Sequence, residues 1–225
     1  VYCELYAGGK YANNDSGAAY EYSLGLNGLG ACATQYSSEY MDVISCSGGV
    51  ASSIHFKKGE PVSELEKEPI PGKKPRTGTT VKWRPDLEVF TDTNIPREFF
   101  LDVLKKQAVV NAGITFVVRF EEEDGKFSEE SFLYENGISD YVKEFVGDDA
   151  ISSVQFWNTE RSGKDREDLP EYKVRLNVAL AFSNKKQMIE YYHNSSFLEF
   201  GGSPDNAVKS ATVAQIDAYL KQSGK

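Results

Sequence analysis

Three glycines within six positions stand immediately before a segment that is typical of a helix. They are Gly25, Gly28 and Gly30, and small residues follow at 31–34. Glycine costs about 1 kcal/mol relative to alanine inside a helix, so its repeated use indicates a backbone that takes unusual conformations or stays uncovered. The order G-x-x-G-x-G matches neither the dinucleotide fingerprint nor the P-loop. The chain must therefore accommodate an uncommon junction between a loop and a helix.

This junction has the chemistry of an anion site. The first turn of a helix leaves four amide groups unpaired and carries about half a positive charge. Without a Cβ in the way, a phosphate can contact such amides directly. A tight turn followed by a close helix crossing explains the same glycines. The preceding residues, 5–22, are predicted to form a long Gly- and Asn-rich loop. Lys10 in this loop is expected either to sit over a phosphate or to be solvated.

A second candidate position lies at the start of the strand predicted at 78–86. Thr79 there is a polar residue at the start of the strand, ahead of the apolar Val81 and Trp83. A hydroxyl group that enters a protein core costs free energy unless it has a hydrogen-bonding partner. A base ring or a fixed water is one such partner, so Thr79 is expected to face a ligand.

Composition limits the class of protein. The 225 residues are enough for one large or two modest domains. A net charge of −9 argues against direct binding of nucleic acid by this segment. Three cysteines without a C-x-x-C pair are expected to be free thiols in a reducing cytoplasm. No apolar run reaches the length of a membrane span, and no secretory leader is expected. Because the sequence opens on Val1, we expect it to be a piece of a longer protein.

The hydrophobic pattern predicts an α+β fold. Helices are predicted at 28–38, 96–111, 138–147 and 205–220. Strands are predicted in two runs around a Ser47-Gly48-Gly49 turn within 40–56, and at 78–86, 114–120, 152–159, 172–182 and 188–194. Pro96 is expected at the first helical position of its helix, whose apolar residues Phe99, Phe100, Val103 and Leu104 recur at helical spacing. Near Gly147 the sequence changes to a series of strand-like runs, and this change predicts domains at 1–148 and 149–225.

Three other polar features are predicted to be structural. His55 and His193 have no partner at the spacing of a metal site or a catalytic triad, so packing or solvation is expected for both. The acidic run 121–125 lacks the order of a calcium loop and is expected to be a hairpin tip.

Several motifs together resemble one known family. The stretches "ELYAGGKY", "SLGLNGLGA" and "RTGTTVKWRPD" occur in the order and spacing of the ATPase region of bacterial type II topoisomerases, the gyrase B and topoisomerase IV ParE subunits. "YENGISDYVKEF" continues the likeness, and "NVALAF", "HNSS" and "FGGSPDNAVKSA" resemble the start of the transducer domain. The resemblance implies part of a GHKL (Bergerat) ATP-binding sandwich, followed by part of a ribosomal-S5-domain-2-like transducer domain.

The resemblance also implies roles for individual residues. Those expected at the ATP phosphates are Gly25, Asn27, Gly28, Leu29 and Gly30, with Lys10 reaching them from the lid, Tyr20 near the adenosine and Thr79 binding adenine through a water. The general-base glutamate and the Mg²⁺ ligands of the family are expected before Val1. No catalytic or metal-binding residue is therefore assigned within this chain. The segment alone is expected not to hydrolyse ATP.

The function implied is an ATP-operated clamp. Nucleotide binding would dimerise two such subunits around DNA, and strand passage would then need an A-type topoisomerase subunit. Departures from the family pattern at Tyr6, Leu24 and Asn27 support an alternative, a non-catalytic GHKL module used for binding or dimerisation that has lost nucleotide affinity. Another GHKL protein, such as a MutL protein, is a third possibility, but the "AGGKY" lid and the "TGTTVKW" strand favour the topoisomerases.

Overall fold

A computed structural model describes residues 1–7, 28–72, 76–164, 166–168 and 171–224 of the chain. The chain divides into two compact units, Val1–Ile95 and Pro96–Lys225. Both units combine helices with antiparallel strands, so the predicted α+β class is confirmed. The boundary predicted between residues 148 and 149 stays a prediction. Of the described helices, none is both long enough and apolar enough to cross a membrane.

The described part of the first unit contains one helix followed by an antiparallel sheet. Its elements are α1 (Leu29–Tyr36), β1 (Ser38–Ser47), β2 (Val50–Lys57), β3 (Glu60–Pro61), β4 (Glu66–Pro69) and β5 (Gly78–Pro85). The strand order is β3-β2-β1-β5, and β4 also pairs with β2. The helix predicted at 28–38 is present but shorter, because Ser38 already begins β1.

The β1–β2 hairpin depends on two glycines in its turn. Gly48 and Gly49 have φ angles of 58° and 79°, in the left-handed region that side chains disfavour. Ser47 then pairs directly with Val50, and the register continues to Tyr40 and Lys57. The hairpin predicted around Ser47-Gly48-Gly49 is confirmed.

One face of this hairpin forms the core of the first unit. Met41 and Val43 on β1 and Phe56 on β2 are each no more than 5% exposed. Tyr2 and Ile54 pack against them. Because side chains alternate between the two faces of a strand, these residues lie on one face of the sheet, and that face forms the core of the first unit.

In its described residues, the second unit combines three α-helices and a short 3-10 helix at Gly147–Asp149 with three pairs of strands. Its elements are α2 (Arg97–Val110), β6 (Phe116–Glu121), β7 (Phe127–Phe132), α3 (Ile138–Val146), β8 (Gln155–Gly163), β9 (Tyr172–Leu180), β10 (Tyr192–His193), β11 (Ser196–Phe197) and α4 (Gly202–Gln222). The pairs are β6–β7, β8–β9 and β10–β11. Ala108, Val109 and Tyr134 are its core cluster, against which Phe116 and Phe132 pack.

Helix α2 differs from its prediction in two respects. Pro96 is the N-cap residue with an extended ψ of 142°, and not the first helical residue. Of the apolar residues expected to define one face, Phe99 is 58% and Val103 is 38% exposed, while the buried residues lie near the end of the helix. Phe100 keeps an edge contact with the ring of Phe120 at 6.1 Å. A two-stranded sheet such as β6–β7 is too narrow to cover the whole helix.

The strand predicted at 188–194 is largely wrong. Only Tyr192–His193 are in a strand, and Asn194, with a φ of 52°, turns the chain into β11. The β-prone tyrosines here make side-chain hydrogen bonds instead of extending a sheet, since Tyr191 donates to Asp205 and Tyr192 to Glu190.

The remaining structural expectations agree with the described contacts. All three cysteines are free. Nδ1 of His55 lies 2.9 Å from Oδ1 of Asp42 on an exposed part of the sheet. The acidic run ends in a hairpin tip, where the amide of Gly125 donates to the carbonyl of Glu122.

The turn of the first hairpin yields a prediction of stability. A Cβ at Gly48 would meet no atom within 4 Å, so Gly48→Ala should cost only the strain of the left-handed backbone, about 1–2 kcal/mol. Gly30→Ala, in a helix with the same open space, is the matched control and should be neutral or stabilising. Urea unfolding of both variants measures this difference, and equal stabilities would contradict the assigned turn.

The second unit yields a prediction of pH dependence. Burial, and then the charge of Glu190, raise the pKa of Tyr141 to about 12. An unfolded tyrosine ionises near pH ~10, so the contribution of Tyr141 is complete below that pH and is lost as the pH rises towards 12. Burial and Glu190 raise the pKa of Tyr192 as well. Urea unfolding between pH 8 and about 11.5 should therefore show a shallower alkaline loss in Tyr141→Phe than in the unmodified chain, and an unchanged slope would contradict this.

Candidate functional site

The described part of the glycine junction begins with a left-handed residue. Gly28 is the N-cap of α1, with φ 67° and ψ 22°, and among the described residues no side chain caps the helix. Glycine adopts this conformation without the steric cost that a Cβ imposes. Gly28 therefore lets the chain enter the helix through a left-handed residue that carries no side chain of its own.

The first two residues of α1 have few described neighbours. Leu29 is 57% exposed, and a Cβ built on Gly30 would meet no atom within 4 Å. No described residue outside the helix accepts a hydrogen bond from the amides of Leu29 or Gly30. The first turn also has no acidic side chain to neutralise its positive end. Gly30 is thus not required by a close crossing with a described element, which was the alternative explanation for this glycine.

The opposite end of α1 holds the helix in place. Cys32 and Gln35 are its buried residues. The thiol of Cys32 donates to the carbonyl of Tyr2 at 3.3 Å, and the hydroxyl of Ser38, the first residue of β1, donates to the carbonyl of Thr34 at 2.5 Å. The described hydrogen bonds therefore hold the helix through Cys32 and Thr34, which follow its first turn.

Thr79 lies in a different environment from the one expected. It is exposed in β5, a strand whose first seven residues are all exposed, so the expectation that its hydroxyl enters a core is wrong. The hydroxyl lies 3.3 Å from that of Ser45, its cross-strand partner on β1. Sequence reasoning gave Ser45 no role, because the register between β1 and β5 is not evident from either strand alone. The described contacts of Thr79 do not join it to residues 28–30.

Four of the expected ligand-binding residues lie outside the described residues: Lys10, Tyr20, Gly25 and Asn27. Within the described ranges, no group of three or more His, Cys, Asp or Glu side chains is placed to hold a metal ion. At the start of α1 the described residues therefore show a left-handed Gly28 and a Gly30 whose Cβ position meets no atom within 4 Å, and they include no such cluster for Mg²⁺.

Comparison with known proteins identifies the relatives of this chain. Residues 137–225 match the family described as DNA gyrase B. The DNA gyrase B protein of Streptococcus pyogenes serotype M1 is 30% identical over 99% of this chain, and the B-type subunit of DNA topoisomerase 4 from Salmonella typhimurium is 32% identical over 65% of it. The chain is a homologue of these B-type subunits. The resemblance predicted from the glycine and lid motifs is thereby confirmed.

A solved structure extends the similarity to the fold. The 43K ATPase domain of Thermus thermophilus gyrase B, solved in complex with an aminocoumarin, matches 88% of this chain with a TM-score of 0.66 and 26% identity. The match covers 51% of that domain. The S. pyogenes match covers 32% of the relative, and the Salmonella match covers 22%. This gyrase B homologue thus has the GHKL type of fold and spans about a third of the first relative's length.

Proposed function

We propose that this chain is part of the ATP-binding subunit of a type II DNA topoisomerase, in which ATP-driven dimerisation clamps DNA for strand passage. The observation that carries the proposal is the open first turn of α1, where Gly28 is left-handed and Gly30 has no neighbour within 4 Å of its Cβ position. The homology to gyrase B and the likeness to its ATPase domain support ATP as the ligand of this turn.

The proposed binding mode uses main-chain groups first. A phosphate placed before Leu29 and Gly30 accepts hydrogen bonds from their amides and interacts with the positive end of the helix. Hydrogen bonds to a charged group contribute about 1.5–3 kcal/mol each, so two or three are sufficient for measurable affinity. We assign Gly25 and Asn27 to the same phosphates, Lys10 to the lid over them, and Tyr20 and Thr79 to the adenosine end.

The residues at the opening bind but do not transfer protons. Gly28, Leu29 and Gly30 have no titratable side chain, so the opening holds the triphosphate and the proton transfer of hydrolysis belongs to another part of the subunit. When bound, Mg²⁺ would neutralise phosphate charge, and its ligands are likewise proposed outside the described residues. We further propose a cytoplasmic enzyme whose partners are DNA, an A-type subunit and a second copy of itself.

A melting experiment on the full-length subunit that contains this chain tests the proposal. A nucleotide at a hundredfold excess over its dissociation constant stabilises the folded state by about 2.7 kcal/mol, or about 5–10 °C in Tm for a domain of this size. A non-hydrolysable ATP analogue should produce such a shift. Gly30→Val should reduce it to less than about 1 °C, because a branched side chain would stand beside the amide that we propose to bind the phosphate, and its Cβ would meet no atom within 4 Å.

Ala33→Val is the matched control, since Ala33 is an exposed residue of the same helix. This variant should retain the full shift. If the unmodified subunit gives no shift with the analogue, the proposal is contradicted and the non-catalytic GHKL module is supported. If Gly30→Val and Ala33→Val retain equal shifts, nucleotide binds elsewhere than at α1.

A further inference from the structure

A carboxylate in the second unit binds two tyrosines from different elements. Oε1 of Glu190 accepts from the hydroxyl of Tyr141 on α3 at 3.2 Å, and Oε2 accepts from the hydroxyl of Tyr192 on β10 at 2.7 Å. All three side chains are only partly exposed. Hydrogen bonds to an ionised acceptor are stronger than those between neutral groups. Glu190 thus connects α3 with the short β10–β11 hairpin.

Two contacts attach the same hairpin to α2. The side-chain amide of Gln107 donates to the carbonyl of Ser195 at 2.7 Å. The ammonium group of Lys106 lies 4.3 Å from the centre of the Phe197 ring, which in turn packs on Tyr192 at 5.5 Å. Helix α2 precedes the residues 137–225 that match the gyrase B family. The hairpin therefore joins the matched part of the chain to the segment before it.

The residue between Glu190 and Tyr192 makes a hydrogen bond to the last helix. The hydroxyl of Tyr191 donates to Oδ1 of Asp205, in the first turn of α4, at 3.1 Å. Asp205 is also paired with Lys209 at 2.6 Å. Helix α4 has 21 residues and none of them is buried. Because little apolar packing fixes the direction of α4, the hydrogen bond between Tyr191 and Asp205 is an important restraint on this helix.

We propose that Glu190 is a positioning residue that fixes the β10–β11 hairpin on α2 and α3 and, through Tyr191, the start of α4. The contacts of Glu190 with Tyr141 and Tyr192 also transmit the nucleotide state of the ATPase region to the segment that follows it in the chain. This second statement rests on the proposed function, whereas the first does not. The joint is defined by Glu190 with Tyr141 and Tyr192.

Glu190→Gln tests the joint with almost no change of volume. A glutamine has one acceptor oxygen in place of two and carries no charge, so one tyrosine hydroxyl loses its acceptor and the other donates to a neutral oxygen. Hydrogen exchange of the amides at 191–210 in the chain should become at least about tenfold faster. The matched control is Glu160→Gln, which removes a carboxylate paired with Arg175 on the exposed β8–β9 hairpin and should leave this region unchanged.

A double mutant separates the joint from a general loss of stability. Tyr141→Phe removes one donor to Glu190, so its effect on exchange at 191–210 should not multiply with that of Glu190→Gln. Both single substitutions are expected to act on one shared interaction. The exchange rate of the double variant should therefore increase by less than the product of the two single increases. Exchange in Glu190→Gln that equals that of the unmodified chain, or purely multiplicative effects, would overturn the joint.

The transmitting role is measured in the full-length subunit assembled with its A-type partner. Glu190→Gln should leave the rate of ATP hydrolysis within about twofold while the number of ATP molecules used per strand passage rises several-fold. An unchanged ratio in an active enzyme overturns the transmitting role alone. An unmodified subunit that does not hydrolyse ATP overturns the proposed function together with that role, while the exchange measurement still decides whether the joint exists.

Discussion

The structure of the first unit depends on how the chain enters helix α1. Gly28 takes a left-handed conformation, and the amides of Leu29 and Gly30 follow with no described acceptor outside the helix. This arrangement is costly for most residues and favourable for glycine. It gives a helix end that is positive, open and without an acidic side chain of its own. The proposal of ATP binding follows from this one local geometry.

The rest of the first unit holds that helix end in place. The buried later residues of α1 attach it to Tyr2 and to the start of β1, while Met41, Val43 and Phe56 form the core on the same sheet. The second unit is held together differently. Its helices bury few residues, and polar contacts join its elements. Glu190 and its two tyrosines are the clearest case. Hydrogen bonds therefore hold α1 in the first unit, and a charged joint connects elements of the second.

The elements with strong local signals could be predicted from the sequence, whereas burial and pairing could not. The Gly48-Gly49 turn and the ends of α2 and α3 follow from residues close in the chain, because turn and cap preferences are local. The exposure of Thr79 and of Phe99 depends on which elements cover them, and no local pattern contains that information. The strand predicted at 188–194 failed because its tyrosines form hydrogen bonds with Glu190 and Asp205. The glycine motif predicted a phosphate site, whereas the space around Gly30 depends on how the rest of the unit folds.

The central claim is that the amide nitrogens of Leu29 and Gly30 bind a phosphate of ATP. A crystal structure of the full-length subunit with a non-hydrolysable ATP analogue measures the distance from the amide nitrogens of Leu29 and Gly30 to the nearest phosphate oxygen. We expect at least one of these distances to be about 2.7–3.2 Å, the range of a hydrogen bond. Amides that instead donate to carbonyl groups of the protein, with the nucleotide bound elsewhere or absent, would contradict the account.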